Sequence, residues 1–303
     1  MKKLVFMLVA MIMVLSACGS GGGGDSAEGG GDPVVISGKP WTEQRILPYI
    51  LADYIKAKTD IPVTVDEGVG ETNVLQQAIT DGDIDMYVEY TGTGYLAVLD
   101  KEFKPGQSAE EIYKTTKQAY EKQFNLTWLQ PLGFQNTYSI TVRQETADKY
   151  GIKKASDIVQ YSKDMIFGGP ATFYGRPDGY DYMVEAYGYH FKDHKSFKPG
   201  LMYKALDEGQ VDVIPAFTTD ARLDKYNLAT TVDDKHIFPP YYAAPVVRMD
   251  VLEAYPKLAE VVNQLKGKIS DEEMRHLNGL VDIKRKKPEE VAKQFLKDKG
   301  LIE

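Results

Sequence analysis

The sequence predicts an α/β protein of two lobes built on mainly parallel sheets. Three observations carry this. After residue 32, short apolar runs alternate with helix-patterned stretches to the end of the chain. Strands separated by helices imply parallel sheets with helices on both faces. The segment 33–303 is also long enough for two lobes. Finally, one unit recurs. Asp81-Gly82-Asp83-Ile84-Asp85-Met86-Tyr87-Val88-Glu89-Tyr90-Thr91 resembles Glu208-Gly209-Gln210-Val211-Asp212-Val213-Ile214-Pro215-Ala216-Phe217-Thr218. In each, an acidic-Gly turn closes a helix, an aliphatic-Asp pair opens a strand, and an aromatic followed by Thr ends the unit. An internal echo of this kind points to two related halves.

The elements follow in order. Val34–Ser37 reads as a buried strand, with Gly38-Lys39-Pro40 as the turn after it. A helix begins near Thr42, with Glu43 in its first turn and Ile46, Ile50, Leu51, Tyr54 and Ile55 on its apolar face. Pro48 is expected to perturb that helix near its start. Val63–Val65 is a second strand, Asn73–Thr80 a short helix, Ile84–Val88 a third strand and Ser108–Phe124 a longer helix. Further strands are predicted at Tyr138–Val142, Met165–Phe167, Val211–Phe217 and Ala244–Arg248. Helical stretches such as Gly179–Tyr187 and Tyr203–Glu208 lie between them. The end is helical: Ser270 and Glu273 form a capping box, and Gly300 follows the last helical run. Ligands of open α/β sheets bind beyond the carboxyl ends of the strands. Tyr90 and Phe217, one in each half, would sit there and face a shared cleft, unless they only close the core.

The N-terminus indicates export. Lys2 and Lys3 precede an apolar run, Leu4 to Leu15, that is too short to span a bilayer but fits a secretory leader over residues 1–17. Leu15-Ser16-Ala17-Cys18 resembles the bacterial lipobox, which implies cleavage before Cys18 and acylation of its thiol. Cys18 is the only cysteine, so an internal disulfide is excluded. Residues 18–32 would be the anchor and a flexible linker rich in Gly, Ser, Asp and Glu. The folded body is therefore expected on the outer face of the cytoplasmic membrane, tethered by lipid.

Composition excludes several classes. The net charge of −8 argues against nucleic acid, which needs a basic face. No second apolar segment approaches membrane-spanning length. His190, His194, His236 and His276 have no spacing suited to a metal or a catalytic pair, and no Ser lies in a G-x-S-x-G setting. Gly19–Gly24 precedes no strand–helix unit, so it is not a phosphate loop. No catalytic residue, metal or cofactor is expected. The unusual feature is tyrosine, twenty against two Trp, which makes aromatic ligand contacts the chemistry to look for.

Six motifs then carry a resemblance. They are Trp41-Thr42-Glu43-Gln44, Glu89-Tyr90-Thr91-Gly92-Thr93, Gln135-Asn136-Thr137-Tyr138, Arg176-Pro177-Asp178-Gly179-Tyr180, Phe217-Thr218-Thr219-Asp220-Ala221-Arg222 and Phe238-Pro239-Pro240-Tyr241. In this order, over nearly all of residues 34–300, they resemble the osmoprotectant-binding lipoproteins of ABC importers, receptors for glycine betaine, carnitine and choline. The resemblance implies a type II periplasmic-binding-protein fold in which two crossover segments join the lobes. The lobes would comprise 33–138 with 241–303, and 139–240. The crossings would lie near Tyr138–Val142 and Pro239–Pro245, and the lobes would close on ligand by a hinge. It also implies an ABC permease as partner, a monomeric state and no catalysis.

The expected ligand chemistry follows from charge. A trimethylammonium group donates no hydrogen bonds and carries a diffuse charge, which several aromatic faces hold well. The resemblance implies a four-tyrosine box, matched here by Tyr90, Tyr138, Phe217 and Tyr241. Phe217 departs from that pattern, keeping the π face and losing the hydroxyl. Thr93 matches a position that distinguishes choline-selective receptors, which carry a carboxylate there, from broader ones. Lys39 departs from the polar uncharged residue usual in the first turn. It could pair with the carboxylate of a betaine, or stand as a solvated turn lysine. A receptor of the same fold for an amino acid or another small cation is the alternative. It would need Asp or Glu where Tyr90, Tyr138 and Tyr241 stand.

Overall fold

A computed structural model describes residues 32–176 and 178–303. The expected leader over 1–17, acylation of Cys18, and the linker up to residue 31 lie outside the described residues.

Two five-stranded sheets organise these residues. The first has the order Val63–Asp66 (β2), Val34–Ser37 (β1), Met86–Tyr90 (β3), Ala243–Arg248 (β10), Leu126–Trp128 (β4). The second has the order Asp193–Phe197 (β7), Ile166–Pro170 (β6), Val213–Phe217 (β8), Tyr138–Arg143 (β5), Leu228–Thr230 (β9). The two orders correspond strand for strand. In the first, β1 pairs in parallel with β2 and β3, while β10 pairs antiparallel with β3 and β4. In the second, β6 pairs in parallel with β7 and β8, while β5 pairs antiparallel with β8 and β9. The sheets are therefore mixed. In each, four strands share a direction and one opposes them.

The opposing strand has a topological cause. β1, β3, β6 and β8 end at the cleft. β5 and β10 each bring the chain back from the other sheet, so they begin at the cleft and run away from it. The internal echo is the visible part of this correspondence. Asp85 accepts the Val35 N–H at 2.8 Å and Asp212 accepts the Ile166 N–H at 3.0 Å, so each carboxylate ties the start of one central strand to the next. Each also faces the arginine that ends the opposing strand, Arg248 at 4.0 Å and Arg143 at 2.8 Å.

Three strands were not expected from the sequence. β4, β7 and β9 are edge strands of three to five residues. β7 is Asp-His-Lys-Ser-Phe and mostly exposed, so no apolar run marks it.

The helix Thr42–Lys58 (α1) is continuous through Pro48, contrary to the expected perturbation. Pro48 has no N–H for the Gln44 carbonyl four residues earlier. That carbonyl lies against Gly38 instead, where a Cβ would come within 2.0 Å of its oxygen. The bare Gly38 thus lets the β1–α1 turn pack closely and seats the next residues at the cleft. α1 lies between the first sheet and the C-terminal helix Pro288–Asp298 (α2), so Ile46, Leu47, Ile50, Leu51 and Ile55 are all fully buried with Val291, Ala292 and Leu296. Each of the Ile, Leu and Val side chains contributes roughly 1.5–3 kcal/mol of transfer free energy.

Candidate functional site

The carboxyl ends of β3 and β8 and the start of β5 meet in a cavity of about 230 Å³ between the sheets. All six residues singled out in the sequence, Tyr90, Tyr138, Phe217, Tyr241, Thr93 and Lys39, line it. A larger groove of about 750 Å³ runs between the helix Ala109–Phe124 and residues 130–133 and 266–267, but residues on the first sheet's side alone line it.

The rings are positioned by strand register and by one glycine. Tyr138 and Phe217 are direct partners across β5 and β8, which puts their ring centroids 5.2 Å apart at a 38° tilt. Tyr138 also packs on Phe173 and Phe238, at 4.9 and 5.5 Å. Tyr90 ends β3 opposite Ala243, whose small side chain leaves room beside it. Tyr241 precedes β10, and its ring lies on Gly92, where a Cβ would come within 2.7 Å of two ring carbons. Any side chain at position 92 would displace that ring.

Hydrogen bonds then fix the phenols. Tyr241 donates to Asp178 Oδ2 at 2.9 Å and accepts from Arg176 Nη2 at 3.1 Å. Tyr90 donates to Glu43 Oε1. Burial, and after it the neighbouring carboxylates Glu43 and Asp178, push both hydroxyls well above the usual phenol range. Both phenols are therefore neutral.

Lys39 is not a solvated turn lysine. It is 1% exposed and pairs with Glu89 Oε1 at 2.5 Å. Its ammonium lies 5.2 Å from the ring centroids of both Tyr90 and Trp41. Glu89 is further held by the Tyr90 N–H at 2.8 Å and the Thr72 hydroxyl at 3.2 Å. Lys39 and Arg176 thus line the cavity as cations each paired with a carboxylate outside its lining, Arg176 with Asp178 at 2.7 Å, and Glu71 is the one carboxylate residue among the described residues of the lining.

Glu43 is the buried residue whose contacts beside this cavity the sequence did not reveal. It is 2% exposed, and among the described residues no Lys or Arg lies within 4.0 Å of it. Oε1 accepts from Tyr90 and from Asn136 Nδ2 at 2.8 Å. Oε2 accepts from Thr219 Oγ1 at 2.6 Å and from Asn278 Nδ2 at 3.2 Å. One carboxylate on α1 thereby joins a cage ring, the loop after β8 and the helix Asp271–Asp282 (α3). Trp41, Asn136 and Arg176 line the cavity as well. Glu43, Trp41, Asn136 and Arg176 belong to the six sequence motifs, so their presence was legible and their contacts were not; Asn278 lies outside every motif.

Among the described residues, no group of three or more His, Cys, Asp or Glu is placed to hold a metal ion. The arrangement can enclose a small cation between aromatic faces and present paired charges to whatever the cation carries.

Comparison with known proteins places the chain in a family. The family model for the substrate-binding domain of ABC-type glycine betaine transport systems matches residues 32–298. An ergothioneine transport permease/ergothioneine binding protein of Helicobacter pylori is 37% identical over 270 residues, covering 89% of this chain and 48% of its own length. The chain thus spans about half of that relative. The carnitine transport binding protein of Listeria monocytogenes is 35% identical over 310 residues, covering 100% of this chain and 99% of that one. A crystal structure of a glycine betaine/carnitine/choline ABC transporter superposes with a TM-score of 0.83 at 33% identity, covering 89% of this chain and 100% of that one.

Proposed function

The chain belongs to the substrate-binding domains of ABC-type glycine betaine transport systems, and we propose that it captures quaternary ammonium solutes in an aromatic cage between its lobes. It is a two-lobed solute-binding protein of an ABC importer. Glycine betaine and carnitine are the ligands the site suits best, with choline weaker. The observation that carries this is that Tyr90, Tyr138, Phe217 and Tyr241 line one cavity at the junction of the two sheets. The ligands named for the relatives, ergothioneine, carnitine, glycine betaine and choline, have the trimethylammonium group in common. That is the group a cage of neutral rings selects.

The rest of the cavity would read the other end of the ligand. Lys39 and Arg176 retain N–H groups beyond those bonded to Glu89 and Asp178, and a betaine carboxylate would take them. Choline has no such group. Thr93 contributes a hydroxyl and no charge, which suits a broad receptor.

In this reading the lobes are residues 33–138 with 241–303, and residues 139–240. Cys18 carries the lipid anchor, the receptor is a monomer that docks on its permease, and it performs no catalysis. Cys18→Ser should release the protein from the membrane fraction.

The ligand is tested by calorimetric titration of protein refolded free of bound solute. Glycine betaine and carnitine should bind, choline weakly and proline not at all. Strong choline binding would remove the charge role given to Lys39. Failure of every trimethylammonium compound would overturn the cage.

A further inference from the structure

We propose that Tyr174, Tyr180 and His194 are positioning residues for the cage: their rings clasp the turn over residues 175–179, and that turn holds Tyr241 and Arg176 in place. This rests on the cage reading above. The three ring centroids lie 5.2 Å apart in every pair. Tyr174 and Tyr180 stand at the two ends of the turn, the first closing the helix Ala171–Tyr174 and the second opening the helix Tyr180–Tyr187. Their contact staples those ends together, and His194 covers both rings from the neighbouring strand. Aromatic pairs attract at this separation.

His194 comes from β7, the edge strand that no apolar run marks. Four of its five residues are exposed, so it has little core to bury. What it supplies is local to the turn. Parallel register sets His194 beside Phe167 of β6, whose ring lies 5.0 Å from that of Tyr180. The next residue, Lys195, gives its carbonyl to the Tyr174 hydroxyl at 2.7 Å. One strand thus provides both a ring and an acceptor for the clasp. The rings then continue into the site: Phe167 stacks on Phe173 at 6.0 Å, and Phe173 is the residue on which Tyr138 of the cage packs.

The turn needs fastening because of its composition and its cargo. It begins with Gly175 and ends with Gly179, and glycine gives up more conformational freedom on ordering than any other residue. Gly179 is required there, since a Cβ would meet the Phe173 carbonyl oxygen at 1.9 Å. Within the turn, Asp178 accepts from Arg176 on both carboxylate oxygens at 2.7 Å and from the Tyr241 hydroxyl at 2.9 Å. The turn follows β6 of the second sheet, while Tyr241 leads into β10 of the first, so the Asp178–Tyr241 bond joins the two sides of the cavity. A loosened turn would draw Asp178 away from Tyr241 and take the Arg176 cation with it.

His194 is exposed, so its removal spares the core. The full chain would be compared with His194→Ala, His194→Phe, Asp178→Ala and the double variant of His194→Ala with Asp178→Ala. Hydrogen exchange at the turn amides reads the clasp without ligand, and titration with glycine betaine reads its effect on the site. His194→Ala should speed exchange at Gly175, Arg176, Asp178 and Gly179. It should also weaken binding about three- to tenfold, as loss of an aromatic pair gives. His194→Phe keeps the ring and should stay within about twofold of wild type in affinity, with exchange unchanged. Once Asp178→Ala has freed Tyr241 and Arg176 from the turn, adding His194→Ala should cost less than about twofold more. Unchanged exchange or affinity in His194→Ala, or no rescue by His194→Phe, would overturn the positioning role. So would an equal loss with and without Asp178, the result expected of packing alone. Wild type that binds no trimethylammonium compound would instead overturn the cage, and the positioning role with it.

Discussion

The Glu43 carboxylate on α1 accepts a hydrogen bond from the Thr219 hydroxyl on the loop after β8, at 2.6 Å, across the cleft between the lobes. The same carboxylate holds the Tyr90 phenol. Cage geometry and lobe closure therefore share one acceptor, and a hinge opening would break the bond to Thr219. Thr219→Val keeps the shape and removes the donor. Its ligand affinity should fall about tenfold, because a bond to a charged group contributes about 1.5–3 kcal/mol and only the closed state holds it. The melting temperature of the ligand-free protein should change little. Calorimetry and thermal unfolding measure the two.

Gly92→Ala tests the cage without removing a ring. The added Cβ would press on Tyr241 from 2.7 Å, so the ring must move. Affinity for glycine betaine should drop as far as in Tyr241→Ala, which gives up about 1–2 kcal/mol of cation–π attraction. Phe217→Tyr should change affinity only a few-fold, because the π face is already there. Titration of the three variants compares them directly.

Lys39 and Glu89 are 1% and 0% exposed, so neither charge has water to fall back on. Lys39→Met alone strands the carboxylate and should destabilise the protein by about 3–5 kcal/mol. Lys39→Met with Glu89→Gln should recover much of that loss. Denaturant unfolding of the single and double variants reads the coupling.

Alkali should destabilise the fold from about pH 10 upward. Tyr90, Tyr203 and Tyr241 have pKa values raised first by burial. Between the unfolded and folded pKa values the unfolded chain binds fewer protons, so stability falls as pH rises. Below the unfolded value that stabilising contribution is fully present. A thermal-unfolding series over pH should be flat near neutrality and fall above about pH 10.

The central strands and both halves of the fold were legible because their residues are apolar and their turns carry Gly and Asp at matched positions. The Asp85 and Asp212 units mark the repeat in the sequence itself. Three of the four edge strands, β4, β7 and β9, were not legible; β7 is polar and exposed, and no local pattern demands a strand there. The helix through Pro48 was misread for a related reason. Gly38 ten residues earlier makes room for the carbonyl that Pro48 releases, and a tertiary contact of that kind leaves no local trace. The cage positions came from motif resemblance, and the cavity gathers all of them. Glu43 sat inside a quoted motif, yet its four donors come from Tyr90, Asn136, Thr219 and Asn278, which are far apart in sequence.

The central claim is that the site recognises a permanent cation through neutral aromatic faces. The most direct measurement titrates ligand-free protein with glycine betaine and with 3,3-dimethylbutanoate, in which carbon replaces the charged nitrogen and shape and carboxylate are kept. The account predicts that glycine betaine binds and that the carbon isostere binds at least about tenfold more weakly. Equal affinities, or no binding of glycine betaine, would contradict it.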